Sequence, residues 1–177
     1  MLKEYFSTLN TFPFMSVNAY NFWTVLGLNG VRYRSDAWVI NRPLWGKMAV
    51  LIIYALVMYF GYRGKKTDER YMVMGGSTIV SIFTFAVGMH ERYMFAGMLL
   101  CLSAFIISED LHFLWFYIAV SCLDGVNVAD VLYMRSGVAF ANDILARTVG
   151  FAMVVLAFCY WIVLIKKYCL ITQQKEQ

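Results

Sequence analysis

Five long runs of apolar residues, almost free of charge, restrict the folding of this chain more than any other feature. Residues 47–62 read KMAVLIIYALVMYFGY, with no charge after Lys47, and residues 71–89 read YMVMGGSTIVSIFTFAVGM, with none. Residues 93–107 form a third clean run. Residues 111–123 form a shorter one that carries only His112, and residues 144–165 form the longest, carrying only Arg147. A helix needs about 20 residues to cross a hydrocarbon core roughly 30 Å thick. The third and fourth runs are short by that measure and cross only with helical flanks or in a locally thinner bilayer. With 61% of its 177 residues hydrophobic and 15% charged, the chain could not hide its apolar surface in one water-soluble core. An aromatic content of 18% with only two prolines excludes disorder. The expected fold is all-α: a polytopic transmembrane helix bundle of about five spans.

Residues 12–28 are a weaker run, interrupted by Ser16, Asn18, Asn21 and Thr24, and read as an interfacial or re-entrant helix. The expected organisation is an extracytoplasmic or interfacial segment at 1–45, a membrane bundle at 46–167 and a cytoplasmic tail at 168–177. The first residues have no apolar core or small-residue cleavage site of a secretory leader. So long a non-spanning lead-in suggests an internal start within a longer protein.

Charge orients the spans. Residues 63–70 read RGKKTDER, and Lys166 and Lys167 follow the last span. The positive-inside rule puts both on the cytoplasmic side, and four crossings between them agree. The turn Ser108-Glu109-Asp110 then lies inside. Residues 1–45, the MHERY hairpin and the segment 124–143 lie outside, although Arg42 and Lys47 beside the first span oppose this. The net charge of +4 is accounted for by inside loops meeting anionic lipid, and no nucleic-acid partner is expected. Cys101, Cys122, Cys159 and Cys169 show no metal-ligand spacing and read as small packing residues, so no metal is expected. Gly75-Gly76 reads as a close helix-packing point.

Two stretches carry polar chemistry. Met89-His90-Glu91-Arg92-Tyr93 joins two apolar runs with almost no loop, so three ionisable groups stand at the mouth of a hairpin. Such groups are costly at membrane depth and need pairing or a wet cavity. Arg92 presents a planar five-donor fork suited to phosphate or carboxylate. Glu91 can hold that fork or accept a hydroxyl, and His90 can donate to a phosphate oxygen. The plainer alternative is an interfacial turn whose charges sit among headgroups. The second stretch is Ser16-Val17-Asn18-Ala19-Tyr20-Asn21-Phe22-Trp23. On a helix, Asn18 and Asn21 share one face, as do Tyr20 and Trp23. Amides suit sugar hydroxyls or a diphosphate, and rings suit a pyranose face or a polyprenyl tail. An ordinary aromatic belt is the alternative. Charge-derived topology puts both stretches on the same side.

SVNAYNFW followed by MHERYMF resembles the C-terminal half of a bacterial GT-C family of integral-membrane glycosyltransferases, mannosyltransferase-like and related to the second mannosyltransferase of GPI-anchor synthesis. The family pattern is N-A-[YF]-N-[LF]-W ahead of several spans, then M-H-E-R-Y-[LM]-[FY]. Both stand complete here, at 18–23 and 89–95. The resemblance implies sugar transfer on the outer face of a bacterial inner (cell) membrane, from a polyprenyl-phosphate sugar, with no further cofactor. It implies that Arg92, His90, Glu91 and Tyr93, with Asn18 and Asn21, bind the lipid phosphate or sugar. The family's acidic base, in its first exterior loop, has no match here. The catalytic residue is therefore unassigned, and the chain is expected to be an inactive fragment or membrane half. Asp124, Asp130 and Asp143 match no family motif. Two other readings remain: an accessory protein pairing with a separate catalytic half, and a small transporter. The transporter requires charge near mid-span, which only the span-end groups His112 and Arg147 approach.

Overall fold

The computed structural model describes residues 14–32, 42–64, 67–134 and 140–170. It is an all-α bundle. A short strand β1 (Ser16–Val17) and a single turn α1 (Phe22–Val25) precede α2 (Arg42–Arg63) and α3 (Arg70–Phe85). Strand β2 (Met89–His90) and a 3-10 turn (Glu91–Met94) lead into α4 (Phe95–Ser108). Then come α5 (Leu111–Ala129), continued as a π-turn over Asp130–Met134, and α6 (Ile144–Ile165), continued likewise over Lys166–Leu170.

Four segments are long and apolar enough to cross a membrane: Leu44–Arg63, Glu91–Ser108, Leu111–Tyr133 and Ile144–Tyr168. A multi-pass membrane protein is consistent with them. Helix α2 is apolar all round, and most of it is exposed, Leu51 by 63% and Met58 by 72%. A helix of that kind needs lipid around it.

The second apolar run departs from expectation. Its helix is only 16 residues, about 24 Å at 1.5 Å per residue, short of the bilayer core. Helix α3 stops at Phe85 because Ala86 turns extended and Gly88 takes a left-handed φ of 72°, which glycine adopts without steric cost. After this bend Met89–His90 form strand β2. Even so, α3 connects the two ends of the bundle. At its start Glu69 accepts a hydrogen bond from Tyr168. Near its other end the Phe83 carbonyl accepts from Asn21.

The fourth run is longer than its uncharged stretch. Asp110 caps α5 by accepting from the His112 amide at 2.9 Å, and the helix runs on through Asp124 and Asn127, both buried. Asp124 therefore lies inside a candidate span and does not open an exterior loop. An ionisable group sits well within the bundle, as the sequence reading had not foreseen.

Packing along the helices follows small residues. A Cβ added at Gly76 would stand 2.8 Å from the Tyr160 hydroxyl, and one at Gly75 would stand 3.1 Å from Leu100 Cδ1, so the glycine pair is a close packing point. Val73, Phe113, Phe116, Tyr160 and Leu164 form one buried cluster, and Ala19, Val80, Phe83, Val120 and Met153 another. Cys101 is buried, Cys122 and Cys159 are exposed, and all three are free thiols.

Candidate functional site

Two separate clusters mark the two ends of the bundle. At one end the loop before α3, the α4–α5 turn and the end of α6 meet. Lys167 Nζ lies 2.7 Å from Asp110 Oδ2 and 3.8 Å from Glu69 Oε1, and Tyr168 donates to Glu69. Partial burial raises the Asp110 pKa, but hydrogen bonds from Lys167 and His112 outweigh it and bring the carboxyl down to about 2. In Glu69 burial acts the same way and is outweighed by bonds from its own amide and from Tyr168, with the nearby Lys167 charge adding to them.

The opposite end brings the two polar stretches together. Strands β1 and β2 pair in parallel, with Ser16 opposite Met89 and Val17 opposite His90. Asn18 forms a further bridge to His90, and Gly88 N donates to the Met15 carbonyl at 3.0 Å. Two motifs some seventy residues apart in sequence are thus hydrogen-bonded neighbours.

The first stretch is not a helix over 14–28, and Asn18 and Asn21 share no helical face. Asn18 has a left-handed φ of 57°. Asn21 is extended and caps the single turn α1, its Oδ1 accepting from Trp23 N and Thr24 N at 3.1 and 3.4 Å. Its Nδ2 donates to the Phe83 carbonyl at 3.0 Å. Tyr20 donates to Asp130, and Trp23 Nε1 donates to the carbonyls of Phe85 and Ala86, both at 3.0 Å. Ser16, Ala19, Tyr20, Asn21 and Thr24 are completely buried. This segment is an inserted plug with one helical turn, the re-entrant form of the two expected from the sequence and not a long helix lying on the bundle.

Three asparagines that sequence reasoning passed over hold the plug. Asn29 Oδ1 accepts from the Asn18 amide at 2.8 Å, and its Nδ2 donates to Asn18 Oδ1 and to the Ala141 carbonyl. Asn127 Oδ1 accepts from the Tyr20 amide at 3.0 Å, and its Nδ2 donates to the Asn18 carbonyl at 2.7 Å. Asn142 exchanges two bonds with the Asn29 backbone. Gly150 lets the plug approach α6, since a Cβ there would stand 2.9 Å from the Asn21 carbonyl oxygen. The available signal was compositional: amides are expensive in an apolar chain, and these fall in segments assigned to one side.

The hairpin residues differ in exposure. His90 is buried, Glu91 half-buried, and Arg92 and Tyr93 exposed. The His90 and Tyr93 rings meet edge to face with centroids 5.3 Å apart. Burial pushes the His90 pKa below its usual value; Glu91 opposes this and Arg92 adds to it. Arg92 thus supplies the positive charge of the hairpin, while His90 can offer a single N–H from a neutral ring.

An apolar groove of about 800 Å³ starts at Phe22 and Trp23 on this rim, passes Trp45 and Ile52, and reaches Phe60 and Ile165 at the far end. A second groove of about 570 Å³ lies between α4 and α5. Among the described residues no group of three His, Cys, Asp or Glu side chains is placed to hold a metal ion. No protein-family model matches the chain, and neither a curated protein nor a solved structure matches it.

Proposed function

We propose that this chain forms the lipid-binding membrane half of a glycosyltransferase that uses a polyprenyl-phosphate sugar, in a bacterial cell membrane with the MHERY rim facing outward. The observation that carries the reading is the pairing of β1 with β2, which sets the NAYNFW and MHERY stretches side by side at one end of the bundle. Arg92 is exposed at that rim and free to direct its fork at a phosphate. Its role is to hold the departing polyprenyl phosphate as negative charge grows on it. A donor aimed at developing charge contributes roughly 3–4 kcal/mol. His90 adds one neutral donor, and Glu91 orients the guanidinium. Asn18 and Asn21 contribute by shaping the rim, because their amides are engaged within the chain. The apolar groove beginning at Trp23 has the length of a membrane leaflet or more and suits a polyprenyl chain.

The test uses the full chain in nanodiscs loaded with polyprenyl monophosphate against an excess of phosphatidylglycerol. The wild type should retain the polyprenyl phosphate selectively. Arg92→Lys should weaken retention about tenfold or more, since a point charge does not replace a bidentate fork. Equal retention by the two proteins would remove Arg92 from the phosphate role. Orientation is read separately, because Arg32 and Arg147 also lie at the rim end and offset the basic loop 63–70. In cells, an impermeant thiol reagent should label Tyr93→Cys and spare Asp68→Cys. The reverse pattern would invert the topology.

A further inference from the structure

The groove between α4 and α5 contains polar groups that the rim does not use. Its α4 wall is Phe95, Met98, Leu99 and Leu102; on the facing wall stand Ser121 and Asp124. These two are three residues apart on α5 and so face the same way. Asp124 is completely buried, and neither of its carboxyl oxygens has a hydrogen-bond partner; the Ser121 hydroxyl has none either. Native proteins rarely leave such groups unmatched, and an isolated carboxylate in apolar surroundings is among the most costly of them. Space is present beside the pair, for a Cβ added at Gly125 would meet no atom within 4 Å.

We infer that the α4–α5 groove is a binding site for a hydroxyl-headed amphiphile, whose chain lies along α4 and whose hydroxyls pair with Asp124 and Ser121. The choice of head follows from donor and acceptor counts. A carboxyl and a hydroxyl together offer several acceptors and at least one donor, and neighbouring hydroxyls return both. An ammonium head has no acceptor for the Ser121 hydroxyl and would bring a full charge into an apolar wall. A phosphate head would set an anion against the Asp124 carboxyl, with no cationic side chain among the groove's lining residues to offset it. The site is separate from Arg92 and does not depend on the transferase reading.

Carbodiimide labelling tests it on the full chain in phosphatidylcholine liposomes. Dicyclohexylcarbodiimide partitions into apolar regions and modifies carboxylic acids there. Trypsin, which cleaves at position 92 in both the wild type and Arg92→Lys, puts Glu91 and Asp124 on different peptides for mass spectrometry. Asp124 should be modified, and octyl glucoside below its micellar concentration should slow that modification roughly fivefold or more, the factor expected from one or two net hydrogen bonds. Octane and octyltrimethylammonium at equal concentration should leave the rate unchanged. Ser121→Ala should keep the modification and lose most of the protection. Absence of modification at Asp124, with Cys101 still inert as a sign of intact fold, would overturn the proposal. So would equal protection by all three probes, stronger protection by the ammonium, or undiminished protection in Ser121→Ala. Arg92→Lys should leave the labelling pattern as in wild type, so this site and the phosphate site can fail independently.

Discussion

Replacing Asn127 by alanine tests whether the rim is held by its amides. Asn127 is 1% exposed, and its two bonds end on the Tyr20 amide and the Asn18 carbonyl. Truncation strands one buried donor and one partly buried acceptor. Each lost partner costs about 1–3 kcal/mol, so the segment 14–32 should lose roughly 2–6 kcal/mol of its hold on the bundle. Tenfold in an equilibrium constant is about 1.4 kcal/mol, so opening of the segment should rise roughly 30-fold at the lower bound. Amide hydrogen exchange by mass spectrometry, on the full chain in nanodiscs, reads this directly. The peptide containing Tyr20 should exchange at least that much faster, while peptides from the α4–α5 turn keep their wild-type rate. Asn127→Asp keeps an acceptor for the Tyr20 amide and should fall between the two. Wild-type exchange at Tyr20 in Asn127→Ala would refute the reasoning, because something other than the amide pair would then hold the plug.

Gly150→Ala should destabilise the protein by about 1–3 kcal/mol, since its Cβ would sit 2.9 Å from a main-chain oxygen that cannot swing aside. An unchanged melting temperature in detergent would show that plug and helix are not in close contact. Asp110→Asn should cost roughly 1–2 kcal/mol at neutral pH. A drop from 3.8 to about 2 corresponds to about 2 kcal/mol, trimmed because the side chain is 21% exposed. The native pKa is the lower one, so this contribution is fully present above pH 4–5 and fades as pH falls toward 2. The stability gap between wild type and Asp110→Asn should close over that interval, and a gap independent of pH would contradict the Lys167 clasp. For His90 the native pKa is also lowered, so the native state resists its protonation. Stability should decline as pH falls below about 6.5, and His90→Gln should flatten that decline in pH-dependent melts.

The apolar runs were enough to locate α2, α4, α5 and α6, because continuous apolarity over a bilayer's width has few alternatives. The grouping of segments by end was legible apart from the stretch opened at Asp124: Lys167 meets Asp110 and Glu69 at one end, and β1 pairs with β2 at the other. Element type failed where local periodicity met distant partners. Asn18 and Asn21 fit a helical face, but Asn29 and Asn127 bind the Asn18 backbone and side chain and hold it in a left-handed conformation. Partners 11 and 109 residues away leave no trace in a window of a few turns. The end of α5 was missed for a related reason. The apolar stretch stops at Leu123, and Asp124 is a charge the helix carries inside. Of the amides at the rim, Asn18 and Asn21 stood out because they lie in a dense motif, whereas Asn29, Asn127 and Asn142 are each alone in sequence.

The brevity of α3 has a consequence for the surrounding lipid. A helix of 24 Å leaves about 6 Å of a 30 Å core unmatched, and the strand that continues it is polar backbone that acyl chains avoid. Headgroups and solvent should sink into a shallow dimple at this end of α3, so that the exposed hairpin side chains stay wetted at a depth where the longer helices are in oil. Bilayers built from shorter acyl chains would then suit the molecule better than thick, sterol-stiffened ones.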